Sequence, residues 1–373
     1  MKSSAVSRVL AALALAGAVP VYVHASDVRA ADHDSDEKPL TIAVFGDWPY
    51  NQVLLDAAPL LVESVNSDPR VRRVIHIGDI HSGSQPCTGA GLDPLPSGSL
   101  PNYNKGIFDI FQQFEDPFVY TPGDNEWTDC HKNKESNSGA PLNELAAVRG
   151  LFFPNPGETL GLHPRHVATQ AEHFGRVHPT DAQFVENVLW EESRVVFVTV
   201  NLPGSNNDGL AWTSPFTDET ARTREAAQRT LADLRWIQRA FALAKEHHAK
   251  AVLIGLQADM FDPAALVPGA DGLGEYATIV HELASLALDF ERPVLLINGD
   301  SHVFGSDHPL ADPSSATGRI YGTPAVPNLT RVTVQGSTTA PAEWLRLTID
   351  PRTPDVFSWE NVVYCATPTV SCP

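Results

Sequence analysis

The sequence predicts an α/β protein built around parallel strands, and three observations carry that reading. Short runs of β-branched and aromatic residues alternate with longer amphipathic stretches, the pattern of strands joined by crossover helices. Three of these runs end within a few residues in the same dipeptide, as Gly46-Asp47, Gly78-Asp79 and Gly123-Asp124. In open parallel sheets, sites lie beyond the carboxyl ends of the strands. Acidic residues far apart in sequence are therefore expected to meet at one rim.

The elements follow in order. Residues 40–45 (LTIAVF) read as a buried strand, and 54–66 as a helix with Leu55, Leu60, Leu61 and Val65 apolar. A strand at 74–77 precedes Gly78-Asp79, a helix follows over 107–114, and a strand at 118–120 enters TPGDNEW, 121–127. Residues 140–190 read as helix and loop, with a helix over 142–151. The run at 195–200 is a strand leading to Asn201 and a PGSNND turn. Residues 220–247 form a long amphipathic helix with Leu231, Leu234, Ile237 and Phe241 on one face. A strand at 251–254 leads to Gln257 and Asp259, a helix covers 279–290, and a strand at 294–297 enters NGDSH, 298–302. Runs at 330–334, 344–349 and 355–359 read as antiparallel closing strands. No internal repeat or clean linker divides the chain. Residues 39–360 are read as one domain, followed by a tail over 361–373.

A chain of 373 residues, 43% hydrophobic and 19% charged, has the composition of a globular protein with a sizeable core. Its net charge of −19 argues against nucleic acid or an anionic membrane as the main partner. Residues 1–25 read as a signal peptide: Lys2 and Arg8, then a small, apolar run over 9–23 that ends at Val23-His24-Ala25. That run is short of the roughly 20 residues a spanning helix needs. The mature protein is expected to be exported, periplasmic or extracellular, without a stable membrane span, and 26–38 to be a disordered leader. In an oxidising compartment four cysteines suggest disulfides, with three possible pairings. Cys365 with Cys372 would pin the tail, leaving Cys87 with Cys130 to tie two loops on one side of a sheet.

The strand ends collect Asp47, Asp79, Asp124 with Asn125, Asn201, Gln257 or Asp259, and Asp300 with His302. Carboxylates, amides and an imidazole at a shared rim are a donor set for a pair of divalent cations, which activate water and stabilise the entering and leaving oxygens of a phosphate. Each piece alone is a common turn or helix cap. The specificity lies in the repetition.

In that order the motifs resemble the calcineurin-like metallophosphoesterase superfamily, whose pattern is Asp-x-His, Gly-Asp, Gly-Asn-His-Glu/Asp, a lone His after a strand, and Gly-His-x-His. The resemblance spans residues 40–305. It implies a metallophosphoesterase-like four-layer α/β/β/α sandwich with mixed sheets and a metal site at the strand C-terminal ends. It also implies hydrolysis of a small phosphorylated substrate, a phosphate mono- or diester or an anhydride, by metal-activated water. Asp47, Asp79 and His302 match the family's ligands directly, with Asp79 at the bridging position. Pro49 stands in place of the first motif's His, and Asp124-Asn125 in place of the third motif's Asn and catalytic His. Gln257, or Asp259, replaces the lone His, and Asp300 the first His of the last motif. The implied ligands are thus Asp47, Asp79, Asp124, Asn125, Gln257, Asp300 and His302, around one or two ions. Exchanging imidazole for oxygen donors moves preference from Zn²⁺ towards Mn²⁺, Mg²⁺, Ca²⁺ or iron.

The exchange also removes a general acid, whose help is typically worth about 10²–10⁴-fold. Asn125 occupies its position; Glu126, His81 and His131 are the candidate substitutes. A phosphoanhydride or aryl phosphate would need the acid least. The competing expectation is a protein that has kept the scaffold for a binding or structural role in the cell envelope. A serine esterase is disfavoured, because no Gly-x-Ser-x-Gly occurs.

Overall fold

The structure, a computed structural model, describes residues 38–87 and 103–372. The expected signal peptide and all but the last residue of the expected leader lie outside the described residues. In chain order the elements begin β1 (Leu40–Phe45), α1 (Gln52–Asp56), α2 (Ala58–Asn66), β2 (Val71–His76), α3 (Tyr103–Phe111) and β3 (Phe118–Tyr120). They continue with α4 (Pro141–Phe152), β4 (Ala168–Thr169), α5 (Gln170–Phe174), β5 (Val188–Glu192), β6 (Val195–Thr199) and α6 (Gly204–Asp208). After α7 (Glu219–Glu246) come β7 (Ala251–Gly255), α8 (Ala277–Phe290), β8 (Val294–Asn298) and β9 (Gly305–Asp307). The chain closes with α9 (Gly318–Tyr321), β10 (Leu329–Thr333), β11 (Ala342–Ile349) and β12 (Phe357–Cys365).

The strands form two mixed sheets, ordered β12-β11-β1-β2-β3 and β4-β5-β6-β7-β8-β10-β9. All six residues of β1 are buried, as an unbroken apolar run requires at the centre of a sheet. It pairs parallel with β2 and antiparallel with β11. A core containing Ile42, Val44, Ile75 and Leu347 from the first sheet and Phe197, Leu253, Leu295 and Val332 from the second joins the two sheets face to face. The outer face of the first sheet packs Phe45, Val74 and Phe118 against Leu61, Val65, Ile107 and Phe111 of the helices. The outer face of the second packs Val198, Val252 and Ile254 against Trp236, Phe241, Ile279 and Leu283.

Several elements differ from the sequence reading for local reasons. The helix expected over 54–66 is two helices, because Pro59 opens the second and its ring cannot follow a continuous helical turn. The helix expected over 107–114 starts earlier and ends at Phe111. In α7 Leu231 is exposed, and the buried face runs through Ala232, Trp236, Ile237, Ala240 and Phe241. The segment read as helix and loop contains β4 and β5, and β5 turns into β6 through Ser193 and Arg194, both at positive φ. Positive φ at both turn residues is ordinarily signalled by Asn-Gly or Asp-Gly, so this hairpin is invisible in Ser-Arg. The run at 330–334 is no antiparallel closing strand: β10 pairs parallel with β8 and antiparallel only with the short β9. The last strand runs on to Cys365, across the boundary expected at residue 360.

Both expected disulfides are present, Cys87–Cys130 and Cys365–Cys372. Among the described residues no helix is long and apolar enough to cross a membrane.

Candidate metal-binding rim

The loops leaving β1, β2, β3, β7 and β8 meet at one end of the two sheets, and backbone hydrogen bonds lace them together. Asp47 N donates to Gly78 O and Trp48 N to Asp79 O, each at 2.9 Å, and Gly299 N donates to Gln257 O at 3.0 Å. The glycines of the repeated Gly-Asp pattern are there for space. A Cβ on Gly123 would lie 2.0 Å from Asp79 Oδ1, and one on Gly299 would lie 2.5 Å from Asp47 Oδ2. One on Gly204 would lie 2.7 Å from Asp300 Oδ1 and 2.9 Å from Asp124 Oδ2. Gly123 and Gly299 of the pattern, and Gly204 outside it, thus make room for carboxylates from other strand ends, whereas Gly78 makes room for the Gly123 backbone and the Gln257 side chain.

Four rim residues hold left-handed backbone: Asp47 (φ 48°), Asp79 (φ 61°), Asp300 (φ 69°) and His302 (φ 62°). Such conformations cost a non-glycine residue energy and concentrate at functional sites. A fifth irregularity faces them. In α6, Ser205 to Asp208 all lie at φ between 51° and 60°, one turn of left-handed helix where the sequence predicts a plain turn. Arg229 donates to Asn207 and Arg222 to the Asp208 carbonyl, which holds that turn in place. The turn presents Ser205 Oγ to Asp124 Oδ2 at 2.7 Å.

The rim side chains are tightly cross-linked. Tyr50 Oη donates to Asp79 Oδ2 at 2.7 Å and lies 3.2 Å from Asp47 Oδ1. Asn125 Nδ2 donates to Asp79 Oδ2 at 2.8 Å, and its backbone N–H to Asp79 Oδ1 at 3.2 Å. Asp300 N donates to Asp47, and His302 Nε2 stands 3.4 Å from Asp47 Oδ1. One ligand atom each from Asp47, Asp79 and His302 lies within 4.8 Å of the others. Gln257 Nε2 donates to Asp124 Oδ1 at 3.1 Å while its Oε1 accepts from Gly204 N, so both ends of that amide are engaged.

Burial, then the charges of Asp124, Glu126 and Asp47, pushes the Asp79 carboxyl well above the usual range. Burial, then Asp124 and Asp47, does the same to Asp300, and burial with the charge of Asp129 raises Asp124. Burial alone would lower His302, but the hydrogen bond and charge of Asp47 outweigh it and hold the imidazole above its ordinary value. Among the described residues no lysine or arginine forms an ion pair with Asp47, Asp79, Asp124 or Asp300. Four acids gathered round a single imidazole, with the nearest ammonium groups held by Asp129, are costly to bury. This oxygen-rich set with one imidazole fits a hard or borderline divalent cation.

The structure therefore brings together Asp47, Asp79, Asp124, Asn125, Gln257, Asp300 and His302. Other candidates stand elsewhere. Asp259 pairs with Arg331 and accepts from Ser301, bracing the Asp300 loop from behind, which leaves Gln257 at the rim. Asn201 donates to Glu186 in a buried polar network. Glu126 accepts from Ile80 N, Tyr120 Oη and Gly123 N, so it ties the second and third strand ends together. His81 is enclosed, with its ring beside Tyr103. His131 Nδ1 accepts from Thr213 N at 2.9 Å. Cys87, Cys130 and Glu135 also cluster, but both sulfurs are consumed by the disulfide. The sequence reading missed Tyr50, Ser205 and two lysines of the third loop, Lys132 and Lys134. Lys132 Nζ lies 2.8 Å from Ser205 Oγ, and both lysines pair with Asp129. Only Tyr50 carried a signal, its place three residues after Asp47.

No known family profile matches the chain, and no curated protein does. The solved structure titled "GAP50 the anchor in the inner membrane complex of Plasmodium" is similar at 10% identity and a TM-score of 0.41, covering 87% of this chain and 89% of that one.

Proposed function

We propose that the rim is a divalent-cation site and that the protein is a metal-dependent phosphoesterase of the calcineurin-like type, acting on a small phosphorylated substrate. The observation that carries the reading is the convergence of four carboxylates and His302 at one rim, with Asp47, Asp79, Asp300 and His302 on left-handed backbone and Gly123, Gly204 and Gly299 leaving room for the acids. The helix, sheet, sheet, helix packing supports the four-layer sandwich that goes with it. Two disulfides support an exported, oxidising location.

Asp47, Asp79 and His302 would hold one cation, with Asp124 and Asp300 completing that site or forming a second. One or two such ions polarise a phosphoryl oxygen and lower the pKa of bound water. The chain's own residues orient the ligands. Asn125 fixes both oxygens of Asp79, the Asp300 N–H fixes Asp47, and Gln257 with Ser205 fixes Asp124. To test the reading, the protein is stripped with chelator and reloaded with Mn²⁺. Hydrolysis of 4-nitrophenyl phosphate is expected to return with the metal. Protein that holds no transition metal and stays inactive after Mn²⁺ addition would refute it.

One observation favours a second reading, a scaffold kept for binding in the cell envelope. Tyr50 Oη spans Asp47 and Asp79 and occupies lone pairs that a metal would use. Tyr50→Phe separates the two. A metal site gains or keeps Mn²⁺ affinity when the phenol is removed, whereas a phenol-filled site with no metal role shows only lost stability.

A further inference from the structure

Turnover at the proposed site, on which this inference rests, faces one chemical difficulty: among the described residues, each rim group that could protonate a leaving group is already engaged, Tyr50 Oη by Asp79 and His302 by Asp47. Asn125 carries no transferable proton. Glu126 spends its carboxylate on three donors, His81 is enclosed beside Tyr103, and His131 accepts from the Thr213 N–H. Positive charge is supplied instead. Lys134 Nζ pairs with Asp129 Oδ2 at 2.9 Å, and its side chain is 51% exposed. A Cβ on Gly83 would lie 2.6 Å from Asn125 Oδ1 and 3.0 Å from Lys134 Nζ, so the absence of a side chain at Gly83 keeps open the space between them. Lys132 pairs with the same Asp129 at 2.8 Å, and through Ser205 reaches Asp124. Two ammonium groups share one buried carboxylate beside the rim. Lys132 is further engaged by Asp271, which leaves Lys134 the more available cation.

We propose that this site selects phosphoanhydrides, with Lys134 receiving the anionic leaving phosphate. In the step, a water oxygen forms the new bond to the terminal phosphorus and the bridging P–O bond breaks. Its electron pair stays on the departing phosphate, and the water proton passes to solvent. The leaving phosphate is a weak base and needs no proton, and its charge is what an ammonium group stabilises best. An alkyl phosphate leaves as a strongly basic alkoxide and gains nothing from a residue that holds its proton. An aryl phosphate lies between, because its phenolate departs unaided but carries less charge for Lys134.

The experiment compares inorganic pyrophosphate, 4-nitrophenyl phosphate and glycerol phosphate on the Mn²⁺-loaded protein, with Lys134→Gln and Lys134→Arg beside the wild type. Pyrophosphate is expected to exceed glycerol phosphate in kcat/KM by at least about 10²-fold, the scale of a missing general acid. Lys134→Gln should lower the pyrophosphate to 4-nitrophenyl phosphate ratio by about 10-fold or more, and Lys134→Arg should largely restore it. Equal rates on all three substrates, or a Lys134→Gln variant that leaves the ratio unchanged, would overturn this inference while leaving the phosphoesterase reading standing. Hydrolysis of none of the three by metal-loaded protein would overturn both.

Discussion

Asp300 shows at the level of one residue why the rim reads as functional. Its backbone is left-handed, its Oδ2 accepts from Asp259 N, and its Oδ1 points over Gly204 towards the other acids. Burial, together with repulsion from Asp124 and Asp47, makes its charge a liability unless a cation is present. Asp300→Asn keeps an oxygen for the Asp259 N–H and removes one charge. The metal-free variant is expected to gain roughly 1 kcal/mol in urea unfolding, while Mn²⁺ affinity measured by calorimetry falls at least about 10-fold. A purely structural aspartate would show loss of stability with no such trade. The strand-end acids were legible because a buried run followed by Gly-Asp is a local pattern. Tyr50 was not, because the hydrogen bond from its hydroxyl to Asp79 joins two loops that only the folded sheet brings together.

Among the elements, the loops after β2 and β3 matter most, and the Cys87–Cys130 disulfide locks one to the other. Both sulfurs lie near the Asn125 carbonyl, at 3.1 and 3.8 Å, so the bond backs the residue that orients Asp79. The bridge closes a separation of 43 residues, for which the chain-entropy argument gives about 4 kcal/mol. The Cys87→Ser, Cys130→Ser protein is expected to lose stability on that scale and to bind Mn²⁺ more weakly. A fall in stability with unchanged affinity would detach the disulfide from the site. Gly123→Ala is the sharper local probe: its Cβ would collide with Asp79 Oδ1, so metal binding should be lost even if the sheet survives. The central strands were legible as continuous apolar runs because both faces are buried, and the long helices because burial of one face imposes a period of 3.6. The left-handed turn at Ser205–Asp208 was hidden, since Arg222 and Arg229 brace it from a later helix.

At the scale of the whole molecule, acidic burial makes stability depend on pH in a definite direction. Burial raises Asp208 to about 8 and, helped by Asp129, Glu135 to about 10, and the rim acids shift the same way. Each such carboxyl holds its proton to higher pH in the fold than in the unfolded chain. The folded state therefore binds more protons through the intervening window, and stability falls as pH rises. For Asp208 that window runs from 3.8 to about 8. In chelator the melting temperature is expected to decline across it. Because a bound cation favours the charged rim, the rise in melting temperature on adding Mn²⁺ should grow over the same range. A metal-induced rise that shrinks with pH would count against the rim as its origin. The central claim, that the strand-end acids hold a divalent cation, is met most directly by elemental analysis of the purified protein beside Asp79→Asn. At least one tightly held metal equivalent in the wild type, lost in the variant, is the predicted result; no metal in either, or the same stoichiometry in both, would contradict it.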